Sequence, residues 1–258
     1  MIDALPAPSP MAYYFSQQGE DFLLDAFFGF RPNGYFVDVG AFDGVHLSNS
    51  YVFEQRGWSG LCIEAAPVYF ELCAKNRPRT RCIHAACVAV ENGPVEFRFE
   101  RGGLFSGVNA DPNNVTREFA SKGIRFEGFE NISVPSCTLN SVLGDSVNEI
   151  DFVSIDVEGS EIDVLNGFDL QRYRPRVLLL EANNNPALQA LDAYLAPRGY
   201  HRARSMRWNH FYACDRNEIL NLRGVSGSGQ LKKTPHPVDP GFNALSFPAG
   251  PLNFGSNT

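Results

Sequence analysis

The sequence predicts an α/β fold, a mostly parallel sheet with helices on both faces. Three observations lead there. From Tyr35 onward short apolar runs alternate with helical patterns, as in YFVDV, GLCIEA and RCIHAACVA with helical stretches between them. That βαβαβ alternation implies parallel strands joined by crossover helices and covered on both faces. Near the end of this pattern YHRARSM and HFYAC alternate in polarity around a turn at Arg207 to Asn209, which reads as a closing antiparallel hairpin.

Taken in order, residues 1–15 read as a flexible leader, small and proline-rich as far as Pro10. GEDFLLDAFFGF, Gly19 to Phe30, spaces its apolar residues as an amphipathic helix does. The strand YFVDV follows, then a helix near Asn49 to Arg56, the strand GLCIEA, a helix near Val68 to Asn76, and the strand RCIHAACVA. Between Val95 and Pro135 the pattern loosens, and about 102–132, with GGLFSG and DPNN, reads as an irregular lid or acceptor loop. VPSCTLNSVL resumes as a strand and short helix. IDFVSIDVEGSEIDVLNGF then runs strand into helix, and RPRVLLLEANNNP leads into a helix over Pro186 to Ala196. The main domain is therefore expected over 16–222. Residues 223–258, rich in Gly, Pro and Ser, read as a tail with too few apolar clusters for a core of its own.

At 258 residues the chain has room for one large α/β domain with extensions. Its formal net charge of -7 argues against nucleic acid as the main partner. The six cysteines are scattered without a CxxC pair, which points to buried free thiols and away from zinc. MIDALPAPSP lacks the pattern of a secretory signal, and no apolar run reaches membrane-spanning length, so a soluble, cytoplasmic protein is expected. The oligomeric state, a homo-oligomer included, stays open.

The most informative stretch is FVDVGAFDG, where a buried strand ends in two glycines and two aspartates. In open parallel sheets the first β-α turn faces the ligand crevice. Gly40 and Gly44 let the backbone come close to a ligand, and Asp38 is a fixed acceptor for a cationic or NH-bearing group. A dinucleotide site would prefer GxGxxG, and two aspartates would repel its pyrophosphate. Glu64, at the end of the second strand, stands where an acid takes two ribose hydroxyls. S-adenosylmethionine, an adenosine joined to a cationic amino acid, satisfies both ends. Two rivals remain: an NAD-dependent oxidoreductase, opposed by the glycine spacing, and a methyltransferase-like binding or scaffold protein without turnover.

Several blocks in order resemble the FkbM family of S-adenosylmethionine-dependent methyltransferases: SQQGED (Ser16 to Asp21), FVDVGAFDGVHLSNS (Phe36 to Ser50), GWSGLCIEAAP (Gly57 to Pro67), VPSCTLNSVL and IDFVSIDVEGSEIDVLNGF (Ile150 to Phe168). The resemblance implies the seven-stranded class I methyltransferase sheet, Rossmann-like and with a reversed last strand, and O-methylation as the usual chemistry. It also implies a cofactor turn of Asp38, Gly40, Ala41, Asp43 and Gly44, with Ser48 and Asn49 opening the next helix. Glu64 would hold the ribose beside Ala65, Ala86 would lie near the adenine at the end of the third strand, and SQQGED would close over the methionine end.

A hydroxyl acceptor needs a base or a metal to take its proton. Asp156 and Glu158 flank the turn DVEG and Glu181 ends a neighbouring strand, so these three carboxylates could converge at one sheet edge. They could hold Mg²⁺, or one could act as base. His46 and His210 are further candidates, each with a structural explanation. The Asp/Asn-Pro-Pro-aromatic turn of nucleic-acid amino-methyltransferases is absent from DVEG. The expected acceptor is a small molecule or glycan: a sugar, a glycolipid-linked glycan or a sugar-bearing natural product.

Overall fold

A computed structural model of the protein describes residues 13–232, except 122, 124 and 146, together with 251–254. In chain order the elements are β1 (Tyr13–Tyr14), α1 (Glu20–Phe27), β2 (Tyr35–Val39), α2 (Tyr51–Gln55), β3 (Ser59–Glu64), α3 (Pro67–Asn76), β4 (Arg81–His84) and β5 (Ala86–Cys87). Then come β6 (Val95–Phe99), α4 (Pro112–Ser121), β7 (Glu130–Val134), β8 (Ser136–Cys137), α5 (Leu139–Leu143), β9 (Phe152–Ile155) and α6 (Glu161–Asn166). The chain continues through β10 (Val177–Glu181), α7 (Asn185–Leu195), β11 (His201–Met206), β12 (Asn209–Ala213), α8 (Arg216–Gly224), β13 (Gly227–Leu231) and β14 (Pro251–Phe254).

Among the described residues seven strands form the central sheet, in the order β11-β12-β10-β9-β2-β3-β4. Its inner strands run parallel, and β12 lies antiparallel to both β10 and β11. The period of two along each strand divides the core between the two faces. Val37, Val39, Leu61, Ile63, Val153, Ile155, Leu178 and Leu180 pack on one side. Phe36, Cys62, Phe152, Val177 and Leu179 pack on the other, with Phe28, Phe53 and Trp58. Strand order reverses between β2 and β9, so the crevice between their carboxyl ends is where such a sheet receives a ligand.

A buried cation anchors the elements around that crevice. Arg77, at the C-terminus of α3, is fully buried; its Nε meets Glu54 of α2 at 2.7 Å. Its other nitrogens donate to the Gly44 carbonyl at 2.8 Å and to the Ser50 hydroxyl at 3.0 Å. The rings of Phe36 and Tyr51 lie 5.3 and 5.4 Å from the guanidinium carbon. Thr80 also donates to Glu54, so the acid is satisfied from two sides.

Four expectations are corrected. Residues 13–15 are not part of a leader: β1 pairs in parallel with β13, and the buried Tyr14 donates its hydroxyl to Asp25 at 2.9 Å. The tail expected from 223 contains the end of α8 and the paired strands β13 and β14. The leader over 1–12 and the tail over 233–250 and 255–258 fall outside the described residues. Ala86 does not end the third strand, because the chain breaks at Ala85 and Ala86–Cys87 pairs with Ser136–Cys137 instead. The 102–132 segment is not wholly irregular. It carries α4, whose Val115 and Phe119 make a small core with Leu104 and Phe105, and it returns through β7 to pair with β6.

Because removing one partner of a buried ion pair strands the other charge, Arg77→Met is expected to cost about 3–5 kcal/mol of stability. Denaturant unfolding would measure it, and a loss within the range of ordinary surface substitutions would mean Glu54 finds another partner.

Candidate active site

The glycine turn is held by contacts only a glycine permits. Gly40 sits at φ +84°, and a Cβ there would fall 1.8 Å from the backbone oxygen of Asp156, so the ends of β2 and β9 press together. The Gly40 and Ala41 amides both donate to the Ile63 carbonyl of β3, at 2.9 and 3.1 Å. Glu64 completes the tie: its two carboxylate oxygens accept the Phe42 and Ala66 amides, each at 2.8 Å. Burial pushes this carboxyl up to about 7 against those hydrogen bonds. Asp38 is also buried and raised by desolvation, while the Ser50 hydroxyl at 2.5 Å and the charge of Arg77 hold it down.

These residues line a cavity of about 800 Å³ at the carboxyl ends of the strands. Asp38, Gly40, Ala41, Ser48, Asn49, Glu64, Ala65 and Ala86 all reach it. Asp43 and Gly44 stand behind the wall. The Asp43 carboxylate caps the turn by accepting the Val45 and His46 amides at 2.9 and 2.6 Å, and a Cβ on Gly44 would meet Arg77 at 2.6 Å. Both shape the turn from outside the cavity. Ser48 accepts the Ser50 and Tyr51 amides, and Asn49 donates to Ser154 at 3.1 Å. His46 lines the cavity, whereas His210 is buried on β12, beside the Ser205 hydroxyl at 2.8 Å, and is lowered by burial.

Asp156, Glu158 and Glu181 converge on the same cavity, with a carboxylate oxygen of each within 4.8 Å of the others. The local backbone arranges this: Glu158 takes a left-handed φ of +56° and Gly159 one of +102°, turning the DVEG loop back on itself. Glu161, in the first turn of α6, accepts the Gly159 amide at 3.1 Å and fixes that reversal. The Asn183 amide, after β10, donates to Glu158 at 3.2 Å and to Glu181 at 3.1 Å. Burial raises all three acids, and the crowding of like charge raises Glu158 and Glu181 further. Asp156 is pushed up only to about 6, because burial is opposed by a hydrogen bond from Glu181. Of the three, Asp156 is the one whose charged form a neighbour's hydrogen bond favours. Three carboxylates and an amide are also donors suited to a hard divalent cation.

The sequence signalled neither Asn183 nor Glu161, since an amide after a strand and an acid in a first helical turn have ordinary structural uses. In SQQGED, Gln17 reaches the cavity, while Asp21 accepts the Ser16 hydroxyl at 2.5 Å and Glu20 accepts the Asn209 amide at 2.9 Å. From the 102–132 segment Phe105, Asn109 and Arg117 face the same space.

Residues 38–202 match the family described as the Methyltransferase FkbM domain. The chain belongs to the FkbM methyltransferase family. That family is one of methyltransferases. No curated protein matches the chain. Solved structures similar to it include the METTL16 MTase domain, at 12% identity and a TM-score of 0.43, covering 74% of this chain and 63% of that one. This FkbM chain thus spans less than two thirds of that domain's length. It is also similar to M. capricolum TrmK in complex with S-adenosyl-homocysteine, at 10% identity and a TM-score of 0.37, covering 74% of this chain and 66% of TrmK. A third is the C-terminal domain of precorrin-6Y C5,15-methyltransferase from Rhodobacter capsulatus, at 13% identity and a TM-score of 0.38, covering 75% of this chain and 85% of that domain.

The raised carboxyls set the pH dependence of stability. Asp21, Glu64 and Glu161 at about 7 and Asp156 at about 6 all lie above their unfolded values. Between the unfolded and folded values the native state binds more protons, so stability falls as pH rises through that window. The thermal midpoint of the ligand-free protein is expected to drop as pH is raised from about 5 to about 8. A midpoint that climbs over the same range in calorimetry would contradict this account of the buried acids.

Proposed function

We propose that the protein transfers the methyl group of S-adenosylmethionine to a hydroxyl of a sugar, a glycan or a sugar-bearing natural product. The observation that carries this reading is the convergence of Asp156, Glu158 and Glu181 on the cavity that Asp38, Gly40 and Glu64 also line. Methyl transfer is an in-line displacement at a sulfonium carbon, so the protein's work is alignment and removal of the acceptor's proton. A sugar hydroxyl keeps its proton until a base is placed on it.

Asp156 is the proton acceptor in this scheme. It is the most acidic of the three, and Glu181 holds it in the charged form by hydrogen bonding. Asn183 orients Glu158 and Glu181. Each Glu64 oxygen spends one lone pair on a backbone amide, leaving another for a ribose hydroxyl. Asp38, together with Gln17, faces the cationic end of the cofactor, and Ala65 and Ala86 leave room for the flat adenine. Mg²⁺, if bound, would be held by Asp156, Glu158 and Glu181 and would supply Lewis acidity toward the hydroxyl.

An acidic wall at DVEG supports a small or glycan acceptor over a polyphosphate, which it would repel. Phe105, Asn109 and Arg117, facing the cavity from the 102–132 segment, offer an aromatic face and polar groups of the kind a sugar ring uses. All six thiols are free, which suits a cytoplasmic, reducing compartment, and among the described residues no helix is long and apolar enough to cross a membrane.

The test is release of S-adenosylhomocysteine from S-adenosylmethionine with glycosides and nucleotide sugars as acceptors, and with RNA and DNA fragments as comparators. Turnover on a hydroxyl acceptor alone is expected. Methylation of RNA or DNA instead would overturn the acceptor class, and cofactor binding without turnover on any acceptor would leave the scaffold reading. Asp156→Asn is expected to lower kcat by about 10²-fold or more with little change in cofactor affinity, and equal losses in both would remove its role as base. In the wild type kcat should rise with pH through about 6, as Asp156 loses its proton. Glu64→Ala should weaken S-adenosylhomocysteine binding by about 1.5–3 kcal/mol, the worth of hydrogen bonds to a charged acceptor. An unchanged Kd would remove the ribose role.

A further inference from the structure

Three cysteines far apart in sequence meet at one point outside the cofactor cavity. Cys62 lies on β3, Cys73 on α3 and Cys82 on β4, and their sulfurs all lie within 4.8 Å of one another. Cys62 and Cys82 are direct neighbours across the β3–β4 ladder, and the helix above supplies Cys73. Cys62 and Cys73 are buried, while Cys82 is only half-buried and so gives the cluster an opening toward solvent.

Small apolar side chains at these positions would fill the core equally well, and Cys62 and Cys73 do belong to the apolar cluster on this face. Packing alone, however, does not require three sulfurs to converge from three elements. One pair among them stands at a coordination spacing. A tetrahedral zinc with Zn–S bonds of about 2.3 Å places its sulfurs about 3.8 Å apart, and the Cys73 and Cys82 sulfurs stand 3.8 Å apart. Charge agrees as well. Three thiolates around a divalent cation leave one negative charge, and Arg77 acts on both Cys62 and Cys82.

We infer that Cys62, Cys73 and Cys82 form a second site that binds a thiophilic divalent cation, zinc, through three sulfurs. A water entering past Cys82 completes the fourth position. Binding exchanges the thiol protons for the metal, with no change of oxidation state. The site lies directly behind the cofactor turn: Cys62 is the ladder partner of Asp38, and a Cβ on Gly44 would come within 3.1 Å of the Cys73 sulfur. Occupancy would therefore stiffen the wall that carries Asp38.

The probe is cobalt(II) in place of zinc, titrated into the reduced full-length protein. A thiolate site gives an intense near-ultraviolet charge-transfer band and visible absorption of tetrahedral cobalt, whereas the oxygen donors of Asp156, Glu158 and Glu181 give neither. One equivalent of cobalt is expected to develop the band, zinc to displace it, Cys82→Ser to abolish it, and Cys137→Ser to leave it in place. Absence of the band in the wild type, or its survival in Cys82→Ser, overturns the inference. Should Cys82→Ser fold poorly, alkylation of the wild type decides the matter: zinc should slow labelling of Cys82 several-fold, and labelling unaffected by zinc overturns it.

Discussion

The geometry of the glycine turn after β2 depends on one buried cation. Arg77 sits at the end of α3 with no exposure to solvent, a placement that desolvation makes costly unless every hydrogen-bonding direction is met. Here the directions are met by Glu54, by the Gly44 carbonyl and by Ser50. Ser50 in turn donates to Asp38, so the orientation of a carboxylate in the cavity wall is relayed from an arginine in the core. The position also suits the cation, because the unpaired carbonyls at a helix C-terminus attract positive charge. Two helices, a strand end and a loop are thereby fixed relative to one another by a single side chain.

Among the described residues no basic side chain is paired to the acids of the opposite wall. Around DVEG the chain uses backbone geometry, a left-handed Glu158 followed by Gly159, with Glu161 bonding to the loop amides from the helix below. A left-handed conformation in a residue other than glycine costs roughly 1–2 kcal/mol, and such strain persists where its surroundings enforce it. Gly107 shows how close those surroundings are: a Cβ there would fall 2.7 Å from the Val157 oxygen. The 102–132 segment therefore rests directly on the loop that carries Asp156 and Glu158.

What the sequence disclosed and what it hid divide along the range of the interactions. The strands β2, β3, β9 and β10 were legible because each is a local apolar run ending in a turn. The meeting of Asp156, Glu158 and Glu181 was legible because acids at the ends of adjacent parallel strands must lie near one another. Arg77 was hidden, since an arginine at a helix end ordinarily points to water. Asn183 was hidden because its double role exists only once Glu158 has been turned toward β10. The strand β1 was missed because its partner, a glycine-containing segment at Gly227–Leu231, lies almost the whole chain away. Helix α4 was missed because DPNN reads as a loop, while its apolar residues pack only on Leu104 and Phe105 of the same excursion. The cysteine cluster was invisible for the same reason: three spacings that match no motif become one site only when a ladder and a crossover helix superpose them.

Under the proposed methyl transfer, the surplus of acid in the cavity wall bears on the order of events in the cycle. Asp38, Glu64, Asp156, Glu158 and Glu181 all face the same enclosed space, where charges are weakly screened. S-adenosylmethionine carries a sulfonium cation, and the thioether left after methyl transfer carries none at that atom. In that scheme the charged part of the wall, Asp156 foremost, favours the reactant over the spent cofactor, so discharge of the sulfonium itself loosens the grip on the product. Exchange of used for fresh cofactor would then be driven by the electrostatics of the pocket, with the proposed chemical step acting as its release signal.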